Sequence, residues 1–241
     1  DRVDMLTHLS AYSIAAATIL GGFILGNSVE DSLTLARVNI ENSRLNAVLP
    51  LSEMQKIVEN TSPAENLELI AASLVLKPKG ILAADESGGS IHKKFESMNI
   101  PDDEQHRRDY RNLFFTTHDL KKHVGGVILF DETARQKADD GTDFVSYLKN
   151  RGIIPGIKVD QGLVNFENSD EKYTQGLEGL PERLKEYYDM GARFAKWRAA
   201  FEIHLDDQGN FLTPTDSCIV ENCKILAEYA AVCQSAGLVP I

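Results

Sequence analysis

The chain has 241 residues, 43% of them hydrophobic and 25% charged, which excludes a disordered or collagen-like polymer and suffices for a sizeable core. Asp and Glu number 36 against 25 Lys and Arg, a formal charge of -11. That excludes a general nucleic-acid coat, because nonspecific phosphate binding needs surplus positive charge, and any anionic ligand must be held by a local cation cluster. The three cysteines, Cys218, Cys223 and Cys233, fall in one late segment of helical pattern. Neither their odd count nor their spacing fits a disulfide framework or a zinc site, so reduced thiols and a cytoplasmic location are expected. The chain opens on Asp1 and stops at Ile241 inside an apolar run, so a fragment is expected.

Residues 1–50 differ from the rest. Leu9 to Val29 is uncharged and holds Ile14, Ile19, Leu20, Phe23, Ile24 and Leu25, close to the roughly 20 apolar residues a membrane span needs. Ser10, Tyr12, Ser13, Thr18, Gly21 and Gly22 dilute it, and Asp1 and Asp4 stand where a secretory signal wants positive charge. A packed helix or an extension foreign to the main domain is expected there, with a boundary near Pro50, and a membrane association is disfavoured.

Regular punctuation begins after Leu51. Ser62-Pro63-Ala64-Glu65 is a capping box with proline at the first helical position, followed by Leu67, Ile70, Ala71 and Leu74 at helical spacing. Lys77-Pro78-Lys79-Gly80 ends that helix. Gly80-Ile81-Leu82-Ala83-Ala84 then reads as a strand and Asp85 to Ser90 as a polar loop. The same sentence repeats at Gly126–Phe130, Pro155–Asp160, Gly191–Arg198 and from Leu238. Helical patterns lie between: Phe144, Val145 and Leu148 after Thr142; Leu184 and Tyr188 after Pro181; Ile219, Leu226, Ala230 and Cys233 before Gly237.

Alternating strands and helices predict a parallel sheet covered by helices. Two architectures compete, an open doubly wound sheet and a (β/α)8 barrel of about 250 residues represented by its first five strands or so. The charges favour the barrel. Lys158 and Asp160 share one face of the third run, and Lys196 and Arg198 one face of the fourth, by the strand period of two. Strands of an open sheet, buried on both faces, are almost continuously apolar, whereas like-directed charges at strand ends suit a barrel mouth.

A lysine inside an apolar strand must be paired, neutralised or used on an anionic ligand. Lys158 and Lys196 both qualify, and Asp85 and Asp160 can pair with them in a purely structural ion network. Two lysines together with Asp85 favour function: a carboxylate for proton transfer beside a carbonyl, and cations for a phosphate or a developing oxyanion. On chemistry alone either lysine can also form a Schiff base. Ser87-Gly88-Gly89-Ser90 offers hydroxyls and close backbone approach, although a simple glycine turn explains it as well. Lys93, Lys94, Arg107 and Arg108 read as solvated surface charge, and Trp197 as core. The six histidines show no metal-ligand spacing, so neither a metal nor a cofactor is expected.

Gly-Ile-Leu-Ala-Ala-Asp-Glu-Ser from Gly80, Gly-Gly-Val-Ile-Leu-Phe from Gly125, Gly-Ile-Lys-Val-Asp from Gly156, Thr-Gln-Gly-Leu from Thr174 and Phe-Ala-Lys-Trp-Arg from Phe194 closely resemble class I fructose-bisphosphate aldolase. The resemblance runs from about Leu51 to Ile241 and implies a metal-independent (β/α)8 lyase. Such an enzyme cleaves fructose 1,6-bisphosphate to dihydroxyacetone phosphate and glyceraldehyde 3-phosphate through a lysine imine. By motif match Asp85 is the carboxylate beside the scissile bond, Lys158 and Lys196 contact substrate oxygens and phosphate, and Arg198 supports the site. Ser87, Ser90 and Arg107 match substrate-contacting positions, and Lys94 stands where the family commonly has a phosphate-binding arginine. Lysine there keeps the charge and loses the bidentate grip. The resemblance puts the imine lysine and the catalytic glutamate past Ile241, so this chain carries part of an active site and no cleavage activity of its own is expected. A sugar-phosphate isomerase and a noncatalytic half-barrel are the alternatives. A half-barrel exposes sheet edges, so association of this chain is expected, and the intact protein is expected to be a homo-oligomer.

Overall fold

The computed structural model describes residues 63–166 and 169–241. The segment read as a possible span and the boundary near Pro50 lie outside the described residues. The chain divides into two units, Asp1–Ser73 and Leu74–Ile241. Of the first, only residues 63–73 are described, and they belong to helix α1 (Pro63–Leu74).

The second unit runs β1 (Gly80–Ala84), α2 (Gly88–Glu96), α3 (Glu104–Phe115), α4 (Leu120–His123), β2 (Val124–Leu129), α5 (Asp131–Ala134), α6 (Phe144–Asn150) and β3 (Ile154–Lys158). It continues with β4 (Leu163–Asn165), β5 (Lys172–Thr174), α7 (Leu180–Met190), β6 (Phe194–Lys196), β7 (His204–Leu205), β8 (Phe211–Thr213), α8 (Asp216–Ser235) and β9 (Val239–Pro240). Strands β1, β2, β3, β6 and β9 form a parallel sheet in that order. The order never reverses, whereas a doubly wound sheet needs a reversal to place helices on both faces. The open-sheet alternative fails on that point, and the chain is a parallel α/β fold.

Register separates the two faces. Ala84, Leu129, Ile157 and Ala195 are partners across four strands. This row packs against Phe115 of α3, Phe144 and Leu148 of α6, Leu180 and Leu184 of α7 and Tyr229 of α8. The main core therefore lies between the sheet and its helices. The alternate row, Ala83, Ile128, Gly156, Phe194 and Val239, faces the other way. There the Phe194 ring lies over Gly156, where a Cβ would collide with it, and reaches Gly126, where a Cβ would collide with Leu74 and press on the ring. Both strands need glycine for that approach.

Four expectations need correction. Ser87-Gly88-Gly89-Ser90 is mostly helix, with Ser87 as N-cap of α2 and both glycines in its first turn. The charged runs leave the sheet early: β3 stops at Lys158 and β6 at Lys196, so Asp160 and Arg198 lie beyond the strands. Helix α8 buries Cys218, Asn222, Ile225, Tyr229 and Cys233, a stripe rotated from the expected one, which leaves Ile219, Leu226 and Ala230 half-buried. Polar groups cause that rotation: the Asn222 amide donates to Lys172 O at 3.0 Å and the Tyr229 hydroxyl to Ala195 O at 2.6 Å. Finally, the antiparallel hairpins β4–β5 and β7–β8 interrupt the strand–helix alternation. The three thiols are free, and burial pushes Cys233 up to about 12.

Gly156→Ala should destabilise the chain by about 1–3 kcal/mol through overpacking against Phe194. With Phe194 shortened to leucine the same glycine change should cost markedly less, as equilibrium urea unfolding will measure.

Candidate active site

Asp85 follows β1 directly, Lys158 ends β3 and Lys196 ends β6. Lys158 and Lys196 are register partners, and extending the pairing of Ala84 with Leu129 and of Leu129 with Ile157 by one residue puts Asp85 and Phe130 in the same row. Lys196 Nζ lies 2.7 Å from Asp85 Oδ2, with side chains 26% and 10% exposed. Strands β1 and β6 are three intervals apart, about 14 Å on a flat sheet, and side chains on a flat sheet stand parallel. Contact at 2.7 Å requires a strongly curved sheet with both groups on its concave face.

Lys158 Nζ donates to Asp160 Oδ1 and to Asp160 O, each at 2.8 Å. The Asp160 side chain is 1% exposed and its Oδ2 has no hydrogen-bond partner among the described residues. Both lysines thus carry a carboxylate partner, as an ion network requires. They also form adjacent cations at the end of neighbouring strands beside a carboxylate, which can hold an anion and move a proton.

The Thr174-Gln175-Gly176-Leu177 string explains itself as a brace for the turn after β3. Gln161 N donates to Gln175 O at 2.8 Å and Gln175 N to Gly162 O at 2.9 Å. Gly176 has φ +130°, and a Cβ there would press on Gln161 N and Trp197. Arg183 of α7 donates to Val159 O at 2.9 Å and to Gly176 O, closing the brace. Trp197 is core, its ring centroid 5.0 Å from that of Tyr229.

The remaining expected residues are distributed around this row. Ser87 and Ser90 bring their hydroxyls within 3.4 Å of each other at the start of α2. Lys94 Nζ donates to Glu86 Oε1 at 2.8 Å and to the Tyr110 hydroxyl at 2.6 Å, so its charge is already partnered. Arg107 grips Glu132 with Nε and Nη2 at 2.8 and 2.7 Å and reaches Asp102 with Nη1 at 2.8 Å. Arg107 and Arg108 are therefore ion-paired rather than freely solvated, their side chains 22% and 17% exposed. Arg198 is exposed past β6 and forms no ion pair among the described residues.

Sequence reasoning missed Glu86 and Arg111. Burial pulls the Glu86 carboxyl up, but the Lys94 hydrogen bond, the Arg111 charge and further hydrogen bonds outweigh it and hold the group below the usual carboxylate range. The signal for Arg111 was its place one helical turn before buried Phe115, on the inward stripe of α3. Among the described residues no group of three or more His, Cys, Asp or Glu is arranged to hold a metal ion, and no helix is long and apolar enough to cross a membrane.

The sequence model of the family described as "Fructose-bisphosphate aldolase class-I" matches residues 66–241. The chain belongs to this family. It is 48% identical over 178 residues to the probable fructose-bisphosphate aldolase class 1 of Xanthomonas campestris pv. campestris, covering 73% of this chain and 52% of that protein. Fructose-bisphosphate aldolase 6, cytosolic, of Arabidopsis thaliana is 49% identical over 179 residues, covering 74% of this chain and 48% of that one. A solved structure of the Plasmodium falciparum aldolase aligns with a TM-score of 0.69 at 50% identity, covering 74% of this chain and 50% of the other. This aldolase-family chain therefore spans about half the length of the curated relatives it matches.

The burial of the Lys158–Asp160 pair has a measurable consequence. Asp160→Ala strands a largely buried ammonium and should cost about 3–5 kcal/mol. Asp189→Ala, which removes an exposed partner of Lys185, should cost under about 1 kcal/mol. Urea titrations of the two variants will show the contrast.

Proposed function

We propose that the whole protein to which this chain belongs is a class I fructose-bisphosphate aldolase, a glycolytic carbon–carbon lyase acting on fructose 1,6-bisphosphate. The observation that carries this is the Asp85–Lys196 pair at 2.7 Å with Lys158 beside it in the same row. On this reading the sheet is the first five strands of a (β/α)8 barrel. Its support is the sequential strand order, the curvature and the 36% exposure of Ile81 on the inward face of β1, which later strands would cover.

In a retro-aldol cleavage the hydroxyl on the carbon that becomes the aldehyde loses its proton as the adjacent carbon–carbon bond breaks. Asp85 is the acceptor of that proton. The Lys196 ammonium stabilises the oxyanion character that develops on the same oxygen, and Lys158 holds a neighbouring substrate oxygen or phosphate. Ser87 and Ser90 present hydroxyls to a phosphate at the start of α2. Lys94 and Arg107 reach substrate only by exchanging Glu86 or Glu132 for it, and Arg198 supports the site from beyond β6. The imine is formed by a lysine outside residues 1–241, so neither Lys158 nor Lys196 is the Schiff base and the chain alone does not turn over. No metal or cofactor takes part in this scheme.

The word "cytosolic" in the Arabidopsis relative's name supports a cytoplasmic location. A homo-oligomer is supported by the exposed apolar side chains Ile203, Leu205, Phe211 and Leu212, 69%, 53%, 58% and 59% exposed, on and beside the β7–β8 hairpin.

Borohydride added to the whole protein with dihydroxyacetone phosphate should trap a covalent adduct on a lysine other than Lys158 and Lys196. Asp85→Asn should lower cleavage turnover by about 100-fold or more. Isomerase activity with no trapped adduct would replace the aldolase reading with that of an imine-free sugar-phosphate isomerase.

A further inference from the structure

Arg111 is 2% exposed, a costly place for a guanidinium unless it is paired and hydrogen-bonded. Its Nε donates to Ala84 O at 2.9 Å and its Nη2 to Glu86 O at 3.0 Å. These are the carbonyls of the residues immediately before and after Asp85. Nη2 also lies 3.2 Å from Glu86 Oε2, so the carboxylate next to Asp85 in sequence balances the buried charge. The guanidinium carbon stands 5.1 Å from the Tyr110 ring centroid, which backs the group from its own helix.

We propose that Arg111 is a positioning residue for Asp85, an inference that rests on the aldolase reading. A planar fork with two donors grips two backbone oxygens at once, and that fixes the peptide planes on both sides of one residue. Residue 85 is thereby held with its carboxylate directed at Lys196 rather than free to follow the turn into α2. Nothing else among the described side chains bonds the carbonyls of Ala84 or Glu86. The Nη1 of Arg111 is left buried without a hydrogen-bond partner, a cost the two-carbonyl grip offsets. A lysine reaches one of the two carbonyls and cannot reproduce the fork.

The test uses the whole protein with Arg111→Met, Arg111→Lys, Asp85→Asn and the double variant Asp85→Asn/Arg111→Met. Arg111→Met should lower kcat by about a hundredfold, the loss expected from a misplacement of about 1 Å, with KM changed by less than about threefold. Arg111→Lys should recover about a tenth of the wild-type kcat. The double variant should be no slower than Asp85→Asn alone, because a misdirected group that is already disabled has nothing further to lose.

A second readout does not depend on activity. In competitive lysine acetylation followed by mass spectrometry, Arg111→Met and Arg111→Lys should raise modification of Lys196 relative to Lys158 by about threefold or more, as should Asp85→Asn. Multiplying kinetic losses, or a Lys196-to-Lys158 ratio unchanged in both Arg111 variants, would reduce Arg111 to a structural ion pair. Should the wild-type protein cleave no ketose phosphate, the aldolase reading fails, and the acetylation ratio alone decides whether Arg111 places Asp85. Were Arg111→Met to fail to fold, Arg111→Lys with both readouts would decide the same point.

Discussion

The contact between Lys196 and Asp85 constrains the curvature of the five-stranded sheet. It joins the ends of strands that are three intervals apart in the sheet, and side chains of ordinary length meet there only if the sheet curls. Curling in turn forces the concave face to be narrow, so that face cannot hold a bulky residue from every strand. Gly126 and Gly156 leave room, and the single Phe194 ring fills the space above them. One ion pair, one aromatic ring and two glycines therefore describe the same curvature at successive depths.

The concave face changes character with depth for a physical reason. Below, Phe194, Ile128 and Val239 are 0%, 6% and 8% exposed, and dispersion and the hydrophobic effect hold the layer. One residue pair higher, the row carries Asp85, Lys158 and Lys196 beside Phe130, and each ammonium has a carboxylate, Asp85 for Lys196 and Asp160, from beyond β3, for Lys158. Ion pairs this buried stabilise little beyond what an apolar layer of the same volume supplies. On the proposed aldolase reading they hold two cations and a carboxylate ready at one site. The turns bearing the carboxylates are themselves anchored from the helices, by Arg111 at β1 and by Arg183 at β3. Two arginines from different helices thus do the same work at two strand ends.

Much of this was legible in the residues. The lysines inside apolar runs marked strand ends, although the period-two partners read with them, Asp160 and Arg198, lie beyond the strands, and the five central strands were found because each is apolar and bounded by glycine or a polar loop. The strand order was not legible from composition or pattern, since both candidate architectures alternate strand and helix. The stripe of α8 was misread because Asn222 is polar by type yet buried by virtue of bonds to Lys172 O and Cys218 O, from elements distant and near in sequence. Hairpins β4–β5 and β7–β8 are too short to show periodicity above their loops. Lys94 and Arg107 looked like free surface charge because their partners, Glu86, Tyr110 and Glu132, come from other elements, up to 25 residues away for Glu132. Side-chain pairing across elements is a tertiary property, and a one-dimensional pattern does not carry it.

On the proposed reading, Asp85, Lys158 and Lys196 line one cavity that encloses one sugar phosphate. Lysine side-chain nitrogen NMR on the isotopically labelled whole protein, titrated with dihydroxyacetone phosphate, addresses it directly. The Nζ signals of Lys158 and Lys196 should move together and yield the same Kd, while that of exposed Lys185 stays fixed. A titration in which only one of the two lysines responds, or in which neither does while ligand binds elsewhere, would contradict it.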